Sequence, residues 1–289
     1  MLERKISLEN AVSLVKDGDT LVFGGWGVYR KPMAIVRAIA RSSLKELTVI
    51  TMGGLDADLL IAAGKVRKVI YGFIGYQQVP GIPPNCRRVR QDGSVEMMEL
   101  SEGMLVVGLQ AAASRLPFIP TRSGLGTDIL TMNPGIKMLE CPYTGAKLVA
   151  MPALQADVAF IHVNAASTTG YGQIIGEPWL DRIMARAAKK TVISTEKLMP
   201  MGELQKDYFS MQLLRVWLDS VVEIPYGAHP TGCYPQYGID EEKIREYGQA
   251  SASPDTLKAY MDKYVLSVTN NRKYVELMGG PSRLSCIKY

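Results

Sequence analysis

Histidine and cysteine are scarce in this chain of 289 residues, and their scarcity excludes whole classes of chemistry. The two histidines, His162 and His229, and the four cysteines, Cys86, Cys141, Cys233 and Cys286, lie far apart with no C-x-x-C pair. Neither a zinc spacing nor a disulfide framework is present. The nucleophile elbow G-x-S-x-G is missing, as is H-E-x-x-H. A phosphate loop fails because Gly64-Lys65 is followed by Val66, with no glycine five positions before Gly64. Long apolar runs are missing too. The longest uncharged stretch, Val158 to Gly176, is broken by His162, Asn164, Ser167, Thr168, Thr169 and three glycines, so no bilayer span is expected. The first seven residues mix both charges without an apolar core, which predicts no secretory signal and a soluble, cytoplasmic protein. The net charge of +5 is spread thinly apart from Arg87-Arg88-Val89-Arg90, which reads as a solvated turn, so nucleic acid is not indicated.

What is present is 47% hydrophobic residues, enough to bury a full core, and a strand–helix alternation that fits one main α/β domain. The most informative segment runs from Asp17 to Pro32. Thr20 to Phe23 is a short β-prone run, Gly24, Gly25 and Gly27 permit a sharp corner, and Pro32 suits the start of a helix over Met33–Arg41. Two readings of the corner stand open: a tight strand-to-helix turn and nothing more, or a turn whose amides face an oxyanion, a thioester oxygen or a phosphate. A dinucleotide site fails, since G-x-G-x-x-G ends here in Arg30 and the next strand runs into Met52 rather than an acid.

Further strands are expected at Leu47–Thr51, Lys68–Tyr71, Leu148–Met151, Val158–Val163, Thr191–Ser194 and Val221–Ile224, with helices near Asp56–Ala63, Ser101–Arg115, Leu180–Ala188 and Asp207–Leu214. Short glycine turns between them predict a mainly parallel sheet with helices on both faces, and ligands at the carboxyl ends of its strands. From Tyr226 the texture changes to polar helical patterns near Asp240–Gln249 and Pro254–Tyr264. The expected organisation is an α/β domain over residues 1–225 and a helical C-terminal extension over 226–289, packed on the same domain.

Two charged residues stand out beside glycines. Ser101 suits the N-cap of an apolar helix, placing Glu102 in its first turn, either as a helix-stabilising acid or as a base or nucleophile. Arg122 and Ser123 lie in a glycine-containing loop, where an arginine is either a surface residue or a carboxylate clamp.

Asp17-Gly18, Leu21-Val22-Phe23-Gly24-Gly25-Trp26 and Pro32 resemble the first signature of the family I CoA-transferases, with Trp26 for its phenylalanine and Arg30 for its glycine. The segments Arg115–Gly124, Ala185–Ile193 and Gly227–Thr231 are similar to the α subunit of glutaconate-type enzymes. The resemblance implies a CoA-transferase-like open α/β fold and a β subunit that carries the glutamate nucleophile, in an αβ or α2β2 assembly. It also implies an acyl-CoA substrate with no tightly bound cofactor or metal. On it Gly24, Gly25, Trp26, Gly27, Arg30, Arg122 and Ser123 are expected to bind substrate. Gly25-Trp26-Gly27, Arg30–Ala34, Ala63–Val66 and Glu102–Leu105 are also similar to the α subunit of a steroid ring-cleaving hydrolase of the same superfamily. There the residue matching Glu102 is a catalytic acid/base and that matching Arg122 lies in the site. CoA transfer is the leading expectation, hydrolytic ring cleavage the alternative, and a non-catalytic acyl-CoA-binding subunit the third.

Overall fold

Apolar runs rich in Val, Ile, Leu and Phe become the strands of one parallel sheet in the computed structural model, which describes residues 3–76, 78 and 81–288. The ends of the two expected segments, residues 1–2 and 289, lie outside the described residues. After a short helix α1 (Leu8–Val12), the chain lays down β1 (Thr20–Phe23), α2 (Met33–Arg41), β2 (Leu47–Gly53), α3 (Leu55–Ala62), β3 (Val66–Ile74), α4 (Pro84–Asp92), β4 (Glu96–Glu99) and α5 (Glu102–Ala113). A side layer follows, with β5 (Phe118–Thr121), α6 (Ile129–Met132), β6 (Lys137–Glu140) and β7 (Lys147–Pro152). The chain then returns to the main sheet through β8 (Ala156–Val163), the short ribbon β9 (Ala165–Ala166) and β10 (Gly172–Gln173), α7 (Asp181–Ala187), β11 (Ala188–Thr195), α8 (Met201–Leu204) and β12 (Ser220–Glu223). The helices α9 (Glu241–Ala250), α10 (Pro254–Met261), α11 (Asn271–Leu277) and α12 (Gly280–Leu284) close it.

The seven-stranded sheet has the order β12-β11-β8-β1-β2-β3-β4, with every neighbouring pair parallel. Its central strands are buried on both faces, which is why they read as unbroken apolar runs rather than alternating ones. Alternation decides which core each side chain enters. Leu21, Phe23, Val49, Val158 and Phe160 join α2, α3, α4, α9 and α10 in one core. Val22, Ile50, Met52, Ala159 and Ile161 join α5 and α7 in the other. β1 sits at the sheet centre between β8 and β2, so its carboxyl end opens where the chain order reverses. Among the described residues no helix is long and apolar enough to cross a membrane.

Three expectations need correction. Leu148–Met151 is a strand, but it pairs antiparallel with β5 and β6 in a separate sheet, because only alternate residues of β7 are buried. The span Asp207–Leu214 is not an α-helix: a 3-10 turn covers Gln205–Ser210, broken at Asp207, and Tyr208 and Phe209 point to solvent. The cluster Arg87-Arg88-Val89-Arg90 lies on α4, not in a turn, with Pro84 in its first turn and Gly93 closing it in the left-handed region.

The C-terminal segment is tied on by buried polar groups. Asp240 accepts from His229 Nε2 at 2.9 Å and from Arg283 Nη1 at 2.7 Å, while His229 Nδ1 meets the Tyr274 hydroxyl at 2.9 Å. Burial pushes His229 below the usual imidazole value, although its bond to Asp240 works the other way. The unfolded chain therefore takes up a proton near pH 6.5 that the native state refuses, and the stability held by neutral His229 is lost as pH falls through that range. The gap in thermal midpoint between wild type and His229→Gln is expected to narrow from pH 7.5 to pH 5.5, as read by circular dichroism. A gap that stays constant would contradict this.

Candidate active site

The site is built where β1, β2 and β3 end. The chain leaves β1 at Gly24, whose N–H donates to the Phe160 carbonyl at 2.8 Å, and makes a tight hairpin in which Trp26 and Tyr29 exchange both backbone bonds. Gly27 lies at φ +58° in the first central position of this two-residue turn, and Val28 occupies the second. Close approach fixes the glycines: a Cβ on Gly53, at the end of β2, would come within 2.6 Å of the Gly27 backbone. A Cβ on Gly25 would overlap the Tyr29 carbonyl.

The expectation that the corner amides face a ligand is corrected at four positions. Gly24 donates to Phe160, Gly25 to Asp181 Oδ1 at 2.7 Å, Trp26 to the Tyr29 carbonyl and Gly27 to the Met52 carbonyl. Val28 is the corner residue whose N–H has no acceptor among the described residues. The corner thus presents a shaped surface rather than an array of free donors.

Arg30 is placed differently from a ligand-reaching arginine. It is 3% exposed and sits in the left-handed region at φ +50°. Its guanidinium donates to Asp181 Oδ2 at 2.6 Å and to the carbonyls of His162 and Glu177, and packs 5.5 Å from the Trp179 ring centre. Next to it, fully buried Lys31 pairs with Asp56 at 3.1 Å and donates to Thr51 Oγ1 at 3.2 Å. Both cations of the corner are neutralised inside the protein.

Aromatic rings finish this wall. Trp26 stacks on Phe73 at 5.8 Å and on Trp179 at 6.0 Å, and Tyr29 meets Trp179 at 5.7 Å. Phe73 is 40% exposed, so the row reaches solvent. Phe73 also links the hairpin to Glu102, because its neighbour Gly72 packs against the start of α5; a Cβ there would lie 2.9 Å from the Glu102 Cα.

Ser101 caps α5 by accepting from the Met104 N–H at 3.2 Å, as its position predicts. Glu102 is exposed, and its carboxylate has no hydrogen-bond partner among the described residues. Ser123 packs on the same helix start, since a Cβ on Gly103 would lie 2.6 Å from Ser123 Oγ. Arg122, the residue before it, is exposed and unpaired among the described residues. The structure therefore joins Glu102, Ser123 and Arg122 at one helix end and Gly24 to Gly27 at the strand end. The Trp26–Phe73 stack and Gly72 lie between the two groups.

Sequence spacing missed a second buried group. His162 Nδ1 lies 2.8 Å from Ser194 Oγ and its Nε2 lies 2.7 Å from Glu196 Oε1, the residue types of a serine–histidine–acid triad but with the two ring nitrogens exchanged. Ser194 is only 1% exposed, so it meets no substrate. His162, Glu196 and Cys233 also bring three metal-ligand atoms within 4.8 Å. However, Glu196 already accepts from His162, the Tyr237 hydroxyl and the Tyr226 and Gly227 amides, and burial pushes the Cys233 thiol well above its ordinary range. These donors are committed to joining the sheet to the C-terminal segment.

Parallel strands with a glycine corner and a charged helix start at their carboxyl ends define a ligand-binding α/β protein. A family model for coenzyme A transferase matches residues 5–216, and the chain belongs to that family. It is 39% identical over 274 residues to the cholesterol ring-cleaving hydrolase IpdA subunit of Mycobacterium tuberculosis, covering 92% of this chain and 94% of that protein. It is 29% identical to the A-subunit of glutaconate CoA-transferase from Acidaminococcus fermentans, covering 96% of this chain and 92% of that one. The crystal structure of the latter enzyme superposes with a TM-score of 0.92 at 28% identity, over 99% of this chain and 96% of the other. The expected open α/β fold, mainly parallel, is the one found.

Gly25→Ala should cost about 3 kcal/mol or more in urea unfolding, combining left-handed strain with overpacking against the hairpin backbone. Gly64→Ala, at φ +66° with open space around it, should cost only about 1–2 kcal/mol. Equal losses would remove the packing argument.

Proposed function

We propose that this chain is the α subunit of a heteromeric enzyme acting on acyl-CoA thioesters, transferring CoA between carboxylic acids with a glutamate nucleophile supplied by a β subunit. The carrying observation is that the site is one-sided. It has a glycine and aromatic wall and two exposed groups of opposite charge, Glu102 and Arg122, unpaired among the described residues. The group His162–Ser194–Glu196 is sealed inside, so it offers no accessible activated nucleophile. A partner in an αβ or α2β2 assembly would close the crevice and bring the missing carboxylate. In the resulting ping-pong reaction CoA passes to that glutamate as a thioester while the donor acid leaves as its carboxylate, and an acceptor carboxylate then takes the CoA and regenerates the glutamate. No tightly bound cofactor or metal enters this chemistry, and CoA arrives as part of the substrate. The reading places the enzyme in the cytoplasm, where free cysteines such as Cys86 and Cys233 stay reduced.

A second reading is favoured by the free carboxylate of Glu102 and by the higher identity to a ring-cleaving hydrolase subunit. In it Glu102 moves the proton for hydrolytic carbon–carbon cleavage of a cyclic CoA thioester, and Arg122 holds a substrate carboxylate bidentately. One variant separates the two. With Glu102→Gln in the assembled enzyme, the transfer reading expects kcat within a few-fold of wild type and hydroxylamine capture of a β-subunit glutamate. A loss of about 100-fold or more with KM little changed, and no captured glutamate, would replace it by the hydrolase reading. Arg122→Met should raise KM about tenfold for a substrate bearing a second carboxylate and leave monocarboxylic thioesters nearly unaffected.

A further inference from the structure

The hairpin Trp26–Tyr29 forms the wall of the site, yet it is a four-residue excursion with two glycine-like conformations at its borders. Gly25 enters it at φ +73° and Arg30 leaves it at φ +50°. Bulky residues avoid the left-handed region unless the surroundings enforce it. What enforces it here is one side chain distant in sequence. Asp181, the first residue of α7 and fully buried, accepts the Gly25 N–H on Oδ1 at 2.7 Å and the Arg30 guanidinium on Oδ2 at 2.6 Å. Entry and exit of the hairpin are thus fastened to the two oxygens of a single carboxylate.

The neighbours of Asp181 add to the clamp. The Glu177 carbonyl accepts from Arg30 at 2.9 Å, and the Trp179 ring, itself at φ +43°, covers Trp26 and Tyr29. The absence of a side chain at Gly24 has the same origin, because a Cβ there would lie 2.7 Å from Asp181 Oδ1. The segment 177–181 and the corner therefore fit as one unit, with the charge of Arg30 balanced within it.

We propose that Asp181 is the positioning residue of this site: by holding Gly25 and Arg30 together it sets the pose of the Trp26–Tyr29 wall against which the acyl thioester lies. The inference rests on the acyl-CoA reading above for its effect on rate, and on the geometry alone for its effect on the hairpin. Arg30 then serves the substrate indirectly, as the strut between Asp181 and the turn. A small shift of a positioning wall is enough to lower turnover about 10- to 100-fold without abolishing binding.

The test uses the assembled α and β subunits with Asp181→Asn, which keeps an acceptor for Gly25 and removes the charge that holds Arg30. A second variant, Arg30→Gln with Asp181→Asn, leaves no buried charge alone and guards against misfolding. Hydrogen exchange without ligand should be at least tenfold faster over residues 24–30 in both variants, with the rest of β1 and β2 within twofold of wild type. In CoA transfer from glutaconyl-CoA to acetate, kcat should fall tenfold or more with KM within threefold. Hairpin exchange within twofold of wild type would overturn the proposal. So would faster exchange across the whole sheet, which would make Asp181 a residue of general stability. A wild-type complex that transfers no CoA would refute the transfer reading, while the exchange comparison would still decide the role of Asp181.

Discussion

The corner at the carboxyl end of β1 depends on charges placed inside the protein. Arg30 and Lys31 are adjacent, both buried, and each is matched by a buried carboxylate, Asp181 and Asp56. Such pairs survive desolvation only with good geometry and further hydrogen bonds. Arg30 has two carbonyl acceptors besides Asp181, and Asp56 accepts from Thr51 and from the Ala57 amide as well as from Lys31. The cost of this arrangement is met by the shape it imposes. Two glycines and an arginine in the left-handed region make a hairpin that backs against Gly53 and carries Trp26 to the crevice.

This use of the two cations divides the labour of the site. The basic residues nearest the glycines hold the wall, and the charge offered to solvent lies across the Phe73 stack, on Glu102 and Arg122. Aromatic and glycine surface lies on one side of that stack, and an exposed carboxylate and guanidinium lie on the other.

Much of the fold is legible in the sequence because central parallel strands are apolar throughout. Thr20–Phe23 and Met33–Arg41 agree with the structure residue for residue, and Val158–Val163 lies within a strand only two residues longer. β4 escapes a reading by pattern because Glu96-Met97-Met98-Glu99 sits at the sheet edge with charged ends and partial burial. The span 207–214 misleads because its apolar residues are split, Tyr208 and Phe209 facing solvent while Met211 and Leu213 are buried in an irregular segment that bonds to Gly172. At the candidate site, the glycine corner Gly24 to Gly27 and the Ser101 cap that places Glu102 are legible from glycines and capping chemistry. Asp181 is not: it meets Gly25 across 156 positions, and no local spacing records that contact. Nor does the sequence tell that Arg30 faces inward, since burial of an arginine depends on a partner brought by the fold.

In the reading proposed above, this chain supplies one wall of an acyl-CoA site and a second subunit supplies the rest. Turnover of acyl-CoA by the purified chain alone, by its β subunit alone and by the two mixed measures this most directly. Neither subunit alone is expected to turn over substrate above the uncatalysed rate, and mixing should restore full activity at equimolar ratio. Turnover by the isolated chain at the rate of the mixture would contradict that reading.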